Sequence, residues 1–205
     1  MAAEQPFTTT SPVLASYSFI ELLTNRGYAD FYPLYWSKFD VSNIETPTMS
    51  TAVRRTTQLA TSGKHGASFD FQTGAQDETR IIDGKVYIEY AMAINRVYAG
   101  TSWGQWDFEL LMVDPDSNET SLGTEVGEQI GGTGTGYEQF TESLVSFNVS
   151  KTPLRAGWTL ILRCTVVARE AGSGDDLKIY NDPEDNTVDG ISPVLKLSVP
   201  FRRAE

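Results

Sequence analysis

Between Lys85 and Asn95 apolar and polar positions alternate. Val86, Ile88, Tyr90, Met92 and Ile94 share one side, and Tyr87, Glu89, Ala91 and Ala93 share the other. A repeat of two is that of a strand with one face on a core. It returns in Trp106, Phe108, Leu110 and Met112, set against Asp107, Glu109, Leu111 and Val113. Val145, Phe147 and Val149 alternate with Ser146, Asn148 and Ser150, and Trp158, Leu160, Leu162, Cys164 and Val166 share one face. A last run sets Leu195, Leu197, Val199 and Phe201 against Lys196, Ser198 and Arg202. A shorter strand is predicted over Ala67 to Gln72, within an otherwise polar stretch from 37 to 83. The aromatic segment 28–36 also reads as a strand, with Pro33 at an edge or a bend because proline donates nothing to a ladder.

Turn-forming stretches separate these runs: DPDSNE at 114–119, GGTGTG at 131–136 and KTPLRAG at 151–157. One helix is predicted near the start, where Ser18 and Glu21 have capping-box spacing, Tyr17 and Leu22 can staple, and Gly27 can end it. Residues 1–15, rich in Thr and Pro, have no period and read as an extended arm. The remainder, 16–205, shows neither an internal repeat nor a linker and is expected to be a single domain. Short period-two strands with turns between them predict an all-β fold: an antiparallel β-sandwich, jelly-roll-like, with one short N-terminal helix.

Composition narrows the partners. At 205 residues the chain can bury a sizeable core, and 40% apolar residues are enough to fill it. The formal charge of −11 repels phosphate backbones and anionic lipid, so neither nucleic acid nor a membrane is an expected partner. The N-terminus has no basic start or apolar stretch, no run approaches the ~20 residues of a membrane span, and a soluble chain made in a cytoplasm is expected. Cys164 is the sole cysteine, which precludes an intrachain disulfide; its apolar neighbours predict a buried, inert thiol.

Two acidic loops carry candidate chemistry. Asp114, Asp116, Asn118 and Glu125 have the spacing of calcium-loop positions one, three, five and twelve. Position six is Glu119 where the tight turn needs glycine, and the flanks read as strands, so a turn is the better reading. Asp182, Glu184, Asp185 and Asn186 surround Pro183 with oxygen donors but in no ordered spacing, and nothing nearby would bury one carboxyl to separate a catalytic pair. No cofactor is therefore expected, although both loops hold donors that a structural calcium ion accepts. His65, the only histidine, lies in the polar loop SGKHGAS with no nucleophile or orienting acid identified beside it. GGTGTG fits neither a dinucleotide nor a P-loop fingerprint, and the sequons at Asn118 and Asn148 read as chance. The chain is expected not to be an enzyme.

Aromatic residues offer further candidates for contact. Core packing accounts for most of Phe31, Tyr32, Tyr35, Trp36, Tyr98, Trp103 and Trp106. A minority are expected to form subunit contacts or a sugar-binding surface, since aromatic residues are favoured at the centres of interfaces. Tyr180, Asn181 and Asp182 join them as candidates at a loop end.

Four phrases occur in order along the chain: SPVLASYSFIELLTNRGYADFY, TRIIDGKVYIEY, FNVSKTPLRAGWTLILRCTVV, and LKIYNDPEDN followed by LKLSVPFR. Together they make the chain resemble uncharacterised structural proteins of tailed viruses of bacteria and archaea. The resemblance covers most of the chain but departs from the pattern over 37–66. It implies a virion component with a jelly-roll-like sandwich: a decoration, turret or vertex protein of the capsid surface, or a tail part. It also implies a homo-oligomer, a trimer or pentamer, in contact with the major capsid protein. The competing reading is a carbohydrate-binding sandwich for host surface glycans, using an aromatic such as Trp103 or Trp36, with calcium in one acidic loop.

Overall fold

The computed structural model describes residues 28–38, 45–49, 60–95, 101–133, 138–169, 176–180 and 195–203. The arm at 1–15, the predicted helix, Tyr98 and the acidic loop holding Asn181 and Asp182 lie outside them. Twelve strands are described: β1 (Tyr28–Lys38), β2 (Glu45–Met49), β3 (Ala60–Gly63), β4 (Ser68–Gln72), β5 (Arg80–Asn95) and β6 (Thr101–Val113). They continue with β7 (Glu119–Val126), β8 (Ile130–Thr133), β9 (Glu138–Leu154), β10 (Thr159–Arg169), β11 (Asp176–Tyr180) and β12 (Leu195–Arg203).

They form two antiparallel sheets packed as a sandwich. In the first, β5 is the spine. It pairs along its whole length with β9 on one side, and with β12 and then β11 on the other, from Arg80 to Asn95. In the second, β10 lies between β4 and β6, and β6 carries β7 and β8 on its far edge. A single parallel bridge, Thr48 with Gln72, joins β2 to β4.

β1 belongs to both sheets. Tyr28–Pro33 pairs with β12 in the first, and Leu34–Lys38 pairs with β2 in the second. The crossing falls at Pro33, so of the two positions open to that proline the chain uses the bend. A residue without an N–H is least costly where one ladder ends and the next begins.

The alternating runs point inward as their period requires. Val86, Ile88, Tyr90 and Met92 of β5, Trp106, Phe108 and Leu110 of β6, Leu160, Leu162 and Cys164 of β10, and Leu197, Val199 and Phe201 of β12 are all buried in one cluster. The Tyr90 and Phe108 rings meet at 4.9 Å in tilted geometry, a favourable arrangement of their quadrupoles.

Period alone mispredicts four positions. Ala91, Ala93, Leu111 and Ile161 lie on outer faces yet are buried. Tyr180 and Lys178 stand directly opposite the two alanines across the β11–β5 ladder. Leu111 and Ile161 are themselves a cross-strand pair, so each shields the other.

Candidate functional site

The interior leaves little room for chemistry. Trp106 is fully buried, and its indole N–H donates to the Lys178 carbonyl at 3.4 Å. The Tyr90 hydroxyl accepts the Glu128 backbone N–H at 2.7 Å, and burial raises its pKa. Burial likewise pushes the Cys164 thiol far up, which keeps it protonated and unreactive, as the sequence predicted. Polar groups collect instead on the outer faces and in the turns.

In the 114–118 turn, Asp114 Oδ1 accepts the backbone N–H of Asp116 at 2.9 Å and of Asn118 at 2.8 Å, while Oδ2 accepts the Asn118 side-chain amide at 2.8 Å. The Asn118 side chain, followed by these backbone amides, lowers the Asp114 pKa. Ser117 takes a left-handed φ of 67°, which closes the turn without glycine. Glu125, the twelfth position of the calcium-loop spacing, is on β7 opposite Phe108, six residues of strand or about 20 Å beyond Glu119. The four donors of that spacing therefore do not converge.

His65 is in an exposed turn whose backbone closes through Ala67 N–H to the Lys64 carbonyl. Its Nδ1 accepts the Ala168 N–H at 3.2 Å, tying the turn to the end of β10. The interface candidates of the sequence are scattered. Phe31 and Tyr32 fall in the half of β1 that pairs with β12, and Tyr35 and Trp36 in the half that pairs with β2. Tyr180 is buried on the outer face opposite Ala91.

Two surface clusters were missed by the sequence because they assemble residues far apart in the chain. On the second sheet, Arg163 of β10 forms a fork with Asp70 of β4, at 2.8 Å from both Nε and Nη2, and also reaches Glu119 of β7 at 3.0 Å. These two acids raise the arginine's pKa still further above its ordinary value. Asp107 and Glu109 share this face, and Val126, opposite Asp107, is 54% exposed.

On the first sheet's outer face, Tyr87 stands between Ser146 and Ser198, small neighbours that leave its ring 41% exposed. Leu144, one step along β9, is 61% exposed. Lys85 lies over the Tyr87 ring at 5.4 Å from its centroid, and Lys196 and Leu144 flank Glu89. A period-two reading finds which residues point outward, but register decides which of them meet.

No family model matches the chain, and no curated protein does. Solved structures are similar in fold. A CocE/NonD family hydrolase from Staphylococcus aureus has 12% identity and a TM-score of 0.51, over 84% of this chain and 37% of that one. An aminopeptidase from a marine sediment Thaumarchaeota archaeon has 8% identity and a TM-score of 0.46, over 66% and 26%. The infectious bursal disease virus VP2 subviral particle has 12% identity and a TM-score of 0.33, over 83% and 42%. The chain thus spans less than half the length of each. At these identities the likeness concerns the fold alone.

One expectation is corrected by this result. The chain was expected not to be an enzyme, on the ground that a sandwich without a visible catalytic constellation is a structural part. A sandwich of this kind is found within a CocE/NonD family hydrolase, so the fold alone does not exclude an enzyme.

Proposed function

We propose that the chain is a structural component of a virus particle, carried on the capsid surface as a decoration, turret or vertex protein. It acts by binding copies of itself and the major capsid protein. The observation that carries this reading is the ordered set of phrases by which the chain resembles tailed-virus structural proteins. Three of them lie on β5, on the end of β9 with β10, and on β11 with β12. β9, β11 and β12 all pair with β5, so these phrases describe one folded unit rather than scattered turns.

The distribution of side chains supports the same reading. The inner faces are filled by the core, which leaves outer faces, edges and loops as the contact surfaces. Exposed apolar residues rimmed by polar ones are typical of such contacts. A tail component is the alternative within the virion.

The test is co-sedimentation of the purified chain with capsids from which it has been stripped. Saturable rebinding is expected, and failure to rebind overturns the capsid-surface reading. A second reading, a carbohydrate-binding module, is favoured by the exposed Tyr87 ring between two serines. A glycan array probed with the native chain and with Tyr87→Ala decides it: specific binding lost in the variant supports that module in place of the structural role.

A further inference from the structure

The two outer faces of the sandwich differ in charge and match in their apolar residues. The first sheet's face carries Lys85, Lys178 and Lys196 with Glu89 and Glu142, around the exposed pair Tyr87 and Leu144. The second sheet's face carries Asp70, Asp107, Glu109 and Glu119 around Arg163, with Val126 exposed beside Asp107. For a chain of −11, two copies repel each other unless a contact sets basic groups against acidic ones. Tyr87, Leu144 and Val126 are the exposed large hydrophobic residues among those described, and they divide between the same two faces.

We propose that one copy docks the Tyr87–Leu144 face of its first sheet on the Asp107–Val126 face of the next copy's second sheet. In this contact Lys85 and Lys196 meet Asp107 and Glu109, and Leu144 and Tyr87 cover Val126. The contact is heterologous: each copy offers both faces, and successive copies close into a ring when their rotations sum to a full turn. This rests on the self-association in the proposed function and names the surfaces that perform it.

A pair of charge reversals tests the assignment. Lys85→Glu spoils only the first face and Asp107→Lys only the second. Lys85 is exposed, and Asp107, half-buried, accepts the Gln105 side-chain amide at 3.2 Å, so circular dichroism checks that both variants are folded. Analytical ultracentrifugation of the wild-type chain should show an oligomer of the 22.6 kDa subunit. Each variant alone should associate about tenfold or more weakly, because like charges now face each other. An equimolar mixture should recover association at least to the heterodimer, since the reversed first face of one variant meets the reversed second face of the other. A ring with an odd number of copies keeps one mismatched contact. Leu144→Asp should give a monomer that the mixture partner does not rescue.

A wild-type chain that stays monomeric overturns the proposal, as does either variant keeping wild-type assembly. Folded variants that fail to bind each other on mixing overturn the pairing of these two faces. Particle association is read separately, so a chain that assembles by these faces but is missing from particles contradicts the virion role and leaves the contact intact.

Discussion

At the scale of single residues, close approaches and burial set the expected phenotypes. Gly123 of β7 passes directly beneath the Phe147 ring of β9, where a Cβ would overlap the ring. Gly123→Ala should therefore destabilise by about 1–3 kcal/mol, the cost of overpacking, and Phe147→Leu should recover part of it in a double-mutant cycle read by urea denaturation. Cys164 yields a pH prediction. Its folded pKa lies above the ordinary thiol value of about 8.5, so its contribution to stability is complete below that pH. Above it the unfolded chain loses the proton first, and stability falls as pH rises. The urea midpoint should decline above about pH 9, and less steeply in Cys164→Ala. A thiol reagent should label the native chain only as fast as it opens. Burial of this cysteine could be read from its apolar neighbours in the sequence. The overhang at Gly123 could not, because it joins strands from opposite sheets.

Elements are held by ties that cross strands. Arg163 joins β4, β10 and β7 through Asp70 and Glu119, all three side chains partly exposed. Arg163→Ala should cost about 1 kcal/mol, the range of a well-formed surface pair, and less in 1 M salt, as read from thermal unfolding. The turn before β7 is built by Asp114, which caps three donors. Asp114→Ala should lower the melting temperature, because three donors of the turn lose their acceptor, while millimolar calcium should leave the wild-type melting temperature unchanged. A calcium-dependent rise there would make the turn a cation site after all. Most strands were legible because their alternation is long. β2, β3, β7, β8 and β11 were not, since short or polar strands such as ATSG have no long apolar repeat to count. Residues 131–133 of the glycine-rich stretch expected to turn lie in β8, paired with β6. The two roles of β1 were visible only as a proline in an aromatic run. Which surface residues gather into one cluster was illegible, because strand register is not written in any single strand.

Among the described residues the molecule is a sandwich with an apolar core and two unlike outer faces, and its exposed large apolar residues lie on those faces. The fold is also found within a CocE/NonD family hydrolase, and the functional reading rests on the ordered phrases and on the outer faces. Asn181 and Asp182, named from sequence as contact candidates, lie outside the described residues. The central claim is that this chain belongs to a virus particle, and the direct measurement is on purified particles. Mass spectrometry should find the chain at a fixed ratio to the major capsid protein, and gold-labelled antibody should decorate the head or its vertices in the electron microscope. Label confined to the tail would move the chain to the tail, and its absence from clean particles would contradict the account.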